Sequence, residues 1–173
     1  MLRLALLAPV AVVAAGLSDR PSIVFNTSIG HARLGMARSD VIDAYGAGRT
    51  ERLRGYFPVG TRFHGKVLVR TTYRVHRGTL IVSYVDGRVK MVETTSRYYR
   101  TASGVGVGTK IPRGPCHRDQ YGGCQYRWRT FEYDECGGAW LGGTRRVTTI
   151  LYVRKGSVYR VQLGDDDVVL YCF

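Results

Sequence analysis

Along much of the chain apolar and polar residues alternate with a period of two, most clearly over residues 79–95. There Leu80-Ile81-Val82-Ser83-Tyr84-Val85 and Arg88-Val89-Lys90-Met91-Val92 flank Asp86-Gly87. β-Branched and aromatic side chains suit a pleated surface, and Asp-Gly readily takes the positive φ angles of a tight type I′ turn. A β-hairpin is therefore predicted. A second is predicted over 148–161, where Tyr152-Val153 and Gly156-Ser157-Val158-x-x-Val161 repeat Tyr84-Val85 and Gly87-Arg88-Val89-x-x-Val92, with a turn one residue longer.

The hairpins are not the only repeated feature. Leu34-Gly35-Met36 and Val105-Gly106-Val107 are both apolar-Gly-apolar triplets 71 residues apart, close to the 69 that separate Gly87 from Gly156. Two nearly equal offsets imply an internal duplication of about 70 residues, with a first repeat over 29–100 and a second over 101–173. In the first, Val41, Ile42 and Tyr45 after Ser39-Asp40 predict a short amphipathic helix ending at Gly46, followed by three antiparallel strands over 67–95. Alternation in the first of these strands sets Thr71, Tyr73 and Val75 toward the core and Arg70, Thr72, Arg74 and His76 on the opposite, basic face. In the second repeat Pro112 and Pro115 leave only a degenerate helix. Residues 128–133 then read as a strand, 137–143 as a mobile loop with Trp140-Leu141 at its tip, and 168–172 as a final strand. The predicted fold class is α+β: two tandem repeats, each of short helices and a three-stranded antiparallel sheet.

The amino terminus changes the setting. Arg3, an apolar run over 4–15 and the small residues Ala14-Ala15 read as an export signal over 1–16, followed by a flexible polar stretch over 17–28. A dozen apolar residues fall short of the roughly 20 that cross a bilayer, so no transmembrane segment is expected. In an oxidising compartment the even set Cys116, Cys124, Cys136 and Cys172 reads as two disulfides. Four cysteines allow three connectivities. Cys116 with Cys124 would close a Gly-rich loop, and Cys136 with Cys172 would tie the last strand to the second repeat. No Cys-x-x-Cys pair points to zinc.

Charge narrows the partner. Twenty-six basic residues against 13 acidic ones give +13, which implies an anionic partner or surface, or simply a soluble cationic protein. The most basic segment, 49–66, reads as a solvated face. Gly104-Val105-Gly106-Val107-Gly108 fails as a dinucleotide fingerprint because Thr109 replaces the last glycine and Pro112 follows. The histidines His31, His64, His76 and His117 and the carboxylates Glu132, Asp134, Glu135 and Asp165-Asp166-Asp167 form no recognisable catalytic constellation, so no catalytic residue, cofactor or metal is assigned. Nucleic acid is set aside because export removes the protein from it.

Leu34-Gly35-Met36-Ala37-Arg38-Ser39-Asp40-Val41, the first hairpin through Ser96 and 104–108 resemble exported bacterial proteins with the β-lactamase inhibitor protein fold, similar also to the small lipoprotein of the outer-membrane β-barrel assembly machinery. The resemblance covers Ile29 to about Leu163. It implies a secreted, non-catalytic module gripping another protein on a sheet face, with Trp128, Trp140, Tyr159, Arg74 and Arg88 as anchors beside Arg70 and His76. The inhibitors place an acidic residue on a hairpin tip into their enzyme's site. Asp86 occupies such a tip, where turn geometry alone accounts for it. The alternative is a cationic binder of anionic envelope polymer or lipid.

Overall fold

The computed structural model describes residues 22–111, 116–118, 124–128, 131–134, 138–144 and 147–168. Three two-residue strands, β1 (Ile23–Val24), β2 (Ser28–Ile29) and β3 (Ala32–Arg33), form a small sheet in the region expected to begin loosely. One helix follows, α1 (Arg38–Tyr45), ended by Gly46 at φ 77°. The remaining strands are β4 (Arg49–Leu53), β5 (Leu68–Val75), β6 (Gly78–Val85), β7 (Arg88–Thr94), β8 (Cys116–Arg118), β9 (Cys124–Trp128), β10 (Phe131–Asp134), β11 (Gly138–Thr144), β12 (Val147–Arg154) and β13 (Ser157–Asp165). They make one sheet in the order β4-β5-β6-β7-β13-β12-β11-β10-β9-β8.

The α+β expectation is thereby corrected. Among the described residues there is one helix of eight residues, burying only Val41, and the fold is mostly antiparallel β. Residues 101–111 form a hydrogen-bonded connector, in which Gly104, Gly106 and Gly108 favour turns over helix. The predicted strand over 128–133 breaks into β9 and β10, with Phe131 facing Trp128. The predicted loop carrying Trp140 is β11, where Trp140 faces Ile150 and Ala139 faces Leu151. Residues 166–168 are a turn, and 169–172 lie outside the described residues, as do 1–21.

Two meanders meet at the centre of the sheet. The turns Asp86-Gly87 (φ 51° and 73°) and Lys155-Gly156 (φ 49° and 68°) are both two residues long. The second is therefore not longer: Arg154 pairs with Ser157, so the extra residue belongs to the strand, and Ser83 rather than Tyr84 corresponds to Tyr152. Each hairpin also bulges at the third residue past its turn glycine, Lys90 in one and Tyr159 in the other. The connectors repeat as well. Gly35 N–H donates to Val89 O (2.8 Å) and Val89 N–H to Met36 O (2.9 Å), while Gly108 N–H donates to Val158 O (2.7 Å) and Val158 N–H to Thr109 O (3.0 Å). The equivalent of Gly35 is thus Gly108, two residues past the glycine of the triplet picked from sequence. Across the seam β7 pairs with β13, Val92 facing Leu163, Glu93 facing Gln162 and Thr94 facing Val161. Glu93 and Gln162 hold the same place in their hairpins, so the local two-fold passes between them.

β1–β3, α1 and the 95–111 connector cover one face, burying Leu80, Val82, Tyr84, Val92, Leu151, Val161 and Leu163 against Ile29, Val41, Tyr99 and Val105. Gly106 lies so close that a Cβ there would stand 2.4 Å from Tyr99 O, a backbone atom with no room to retreat. Gly106→Ala is expected to cost about 1–3 kcal/mol of stability, read from denaturant melts.

The opposite face has its own cover. Residues 54–67 lay Phe57 and Phe63 on Leu68, Val85, Met91 and Val168. Arg62 binds Asp165 and Asp167, Lys66 lies 3.1 Å from Asp86, and Tyr56 O–H donates to Val168 O (3.3 Å). The basic segment is therefore only half a solvated face: β4 is an exposed edge, but the loop beyond it is a lid over the sheet. The Asp165–Asp167 run holds that lid, while Asp166 accepts from Thr148 O–H (2.6 Å).

Candidate functional site

The bulges decide which side chains reach the lidded face. Without the extra residue at Lys90, strict alternation from buried Val89 would turn Met91 and Glu93 into the core; with it, Val92 goes inward and Met91 and Glu93 face the lid. The bulge at Tyr159 does the same for Arg160 and Gln162. Between lid and seam these residues line a cleft of about 130 Å³ together with Tyr56, Arg70, Ile81 and Tyr152.

Its centre is charged. Arg160 Nη1 lies 3.6 Å from Glu93 Oε2, and its guanidinium stands 3.8 Å over the Tyr152 ring and 5.7 Å from that of Tyr159. Arg154 stacks on the outer side of Tyr159 at 4.8 Å. Tyr152 O–H donates to Gln162 Oε1 (3.0 Å), and Gln162 Nε2 donates to Met91 Sδ (3.1 Å), so the amide is fixed from both ends. Arg70 enters from β5 and also reaches Glu51 at 3.4 Å. Among the described residues neither Arg70 Nε–H nor Arg160 Nε–H finds an acceptor, although both are buried. Each guanidinium is nevertheless partly exposed in the cleft, and a forked cation of this kind suits a carboxylate.

Burial pushes the Glu93 carboxyl above the usual carboxylate range, against the opposing pull of Arg160 and then Arg70. Burial likewise raises Tyr56, with Arg70 pulling it back and Glu93 adding to the rise. Because folded Glu93 holds its proton more tightly than the unfolded protein does, its contribution to stability is complete below the ordinary carboxylate range and is lost as pH climbs through the folded value. Glu93→Gln is therefore expected to melt above the wild-type protein at pH 7, with the advantage shrinking toward pH 4 in parallel thermal scans.

The residues singled out by sequence divide among several places. Arg70 lines the cleft and Tyr159 stands at its edge. Arg74 and His76 do not join them: His76 falls in the β5–β6 turn, its ring on Tyr98 at 4.2 Å, and both residues line a different cavity. Arg88 sits at the shoulder of the first hairpin and donates to Gly35 O (3.4 Å). Trp128 and Trp140 are strand residues of β9 and β11. Asp86 is a turn residue at φ 51°, paired with Lys66. Cys116 faces Tyr126 and Cys124 faces Arg118, which makes the two cysteines diagonal neighbours. Cys136 and Cys172 lie outside the described residues. Sequence reasoning missed Glu93, Tyr152, Arg160 and Gln162, although the Val-x-x-Val spacing after each turn glycine is the trace of the bulge that exposes them.

No family model matches the sequence, and no curated protein sequence is significantly similar to it. Among solved structures it is similar to a cysteine-rich secretory protein from Staphylococcus aureus (13% identity, 78% of this chain and 45% of that one, TM-score 0.50). It is similar also to an extracellular protein containing an SCP domain from Bacillus anthracis (10% identity, 78% and 44%, TM-score 0.50). The uncharacterised protein yfeY from Escherichia coli aligns over 82% of this chain and 98% of its own at 12% identity and a TM-score of 0.41. The protein spans less than half the length of the first two, and the likeness is one of fold. No helix among the described residues is long and apolar enough to cross a membrane.

Proposed function

We propose that the protein is an exported, non-catalytic protein-binding module of the inhibitor-like kind, which takes an acidic side chain of its partner into the seam cleft. The observation that carries this reading is the pair of arginines, Arg70 and Arg160, converging on Glu93 with unmet buried donors beside a Tyr152–Arg160–Tyr159 stack. Arginine and tyrosine are the residue types in which interface energy concentrates, and a cleft of about 130 Å³ admits one side chain. The resemblance of the hairpin and helix-start motifs to those of the β-lactamase inhibitor proteins supports the class, and export is supported by the secretory and extracellular descriptions of the two solved structures.

A second reading is favoured by a separate observation, the exposed Arg49, Arg52 and Arg54 on and beside the β4 edge, which with the +13 charge suit a diffuse complex with anionic envelope polymer or lipid. Salt separates the two. The oxidised mature protein serves as bait for envelope and culture fluid of its source, with parallel washes at low and near-molar salt. A discrete protein surviving the high-salt wash supports the module; recovery of polymer or lipid alone, lost at high salt, overturns it.

A further inference from the structure

The larger cavity lies elsewhere. At the far end of the first meander, the β5–β6 turn, the loop after β2, the end of α1 and the Tyr98-Tyr99 pair line an open pocket of about 360 Å³, within the range of small-ligand sites. Its lining is His31, Tyr45, Arg74, Val75, His76, Tyr98 and Tyr99. Three of these residues carry or accept positive charge, and none is a carboxylate. Arg74 forms no ion pair or hydrogen bond among the described residues, in contrast to Arg62, Arg70 and Arg160.

The walls are rings. Tyr98 is exposed, with His76 against it at 4.2 Å and 32° and Tyr99 edge-on at 5.8 Å. Across from them Tyr45 holds its place by accepting the His31 backbone N–H (2.8 Å). Gly30 is part of the architecture. A Cβ there would stand 2.5 Å from Tyr45 Oη and 2.6 Å from the Tyr99 ring, and its φ of +60° is one that other residues rarely adopt. Tyrosine faces accept flat ring surfaces, and a guanidinium fork accepts both oxygens of a carboxylate.

We infer that this cavity binds a small carboxylate carried on a ring, the ring lying on the Tyr45 and Tyr98 surfaces and the carboxylate held by Arg74 with His31 or His76. The chemistry is shared by aromatic acids and sugar acids. The site is independent of the seam cleft, which lies on the lidded face.

The test follows the imidazole ring protons of His31 and His76 by nuclear magnetic resonance during titration with benzoate and with glucuronate, with benzamide and acetate as controls. At least one ring carboxylate is expected to shift both signals saturably, at least tenfold more tightly than either control. Saturation by benzoate alone identifies an aromatic acid, and by glucuronate alone a sugar acid. Arg74→Ala is expected to weaken that binding at least tenfold with an unchanged melting temperature and unchanged high-salt capture of a partner by the seam cleft. Acetate or benzamide equal to the ring carboxylate, no saturable shift with either acid, or full affinity in the Arg74→Ala protein would each overturn the assignment.

Discussion

Replacing Arg70 and Arg160 together by alanine is expected to weaken the high-salt complex by roughly 10²–10³-fold. Both arginines are partly exposed at the cleft and present donors that no described residue satisfies, so the loss on binding exceeds that of a rim charge. A complication is built into the site. Arg160 and then Arg70 oppose the burial that raises the Glu93 carboxyl, and their removal leaves that largely buried group beside Tyr152 and Met91 with no counter-charge. The double variant should therefore also lose stability at neutral pH and recover much of it in acid. Adding Glu93→Gln removes the orphaned charge. The triple variant is expected to melt near the wild-type protein and still fail to retain the partner, whereas recovery of binding along with stability would assign the arginines a purely structural role.

Leu151→Ala should produce the largest loss of stability, about 2–5 kcal/mol. Leu151 is fully buried at the middle of β12, in the shared core with Val82, Val92, Val161 and Leu163. Because Leu163 faces Val92 and Val161 faces Thr94 across the seam, the cavity weakens packing on both meanders at once. The expected result is a lower melting point with one cooperative transition. Two separated transitions, the upper one at the wild-type temperature, would mean that the meanders fold as independent units.

The strands of the first meander were legible because their cues are local: Asp86-Gly87 dictates the turn, and the runs beside it are β-branched and aromatic. The helix stop at Gly46 was legible for the same reason. Errors arose where a single residue changes parity. Tyr84 and Tyr152 look equivalent by identity, yet register equates Tyr152 with Ser83, which faces away from the Tyr84 side of the sheet. That slip hid Tyr152, and the bulges hid Glu93 and Arg160, since alternation counted from Val89 or Val158 assigns these residues to the wrong face. Arg70 was placed on the correct face because β5 carries no bulge. His76 was misassigned because a two-residue turn, His76-Arg77, ends the strand before it, with Arg77 at φ 56°. The Gly-rich stretch at 137–143 read as a loop because glycine is a poor strand former; the place of β11 between β10 and β12 supplies ladder partners on both sides. Nothing local announces that residues 54–67 fold back as a lid, because the partners of Phe57 and Phe63 come from β5, β6, β7 and the turn after β13, which are adjacent only in the assembled sheet.

Arginine-directed labelling with phenylglyoxal, mapped by mass spectrometry on the free protein and on the protein bound to its salt-resistant partner, tests the central claim most directly. The expected result is loss of labelling at Arg70 and Arg160 on binding, with Arg49, Arg52 and Arg74 labelled as before. Protection of Arg49 and Arg52 while Arg70 and Arg160 react as in the free protein would contradict the account and move the interface to the β4 edge.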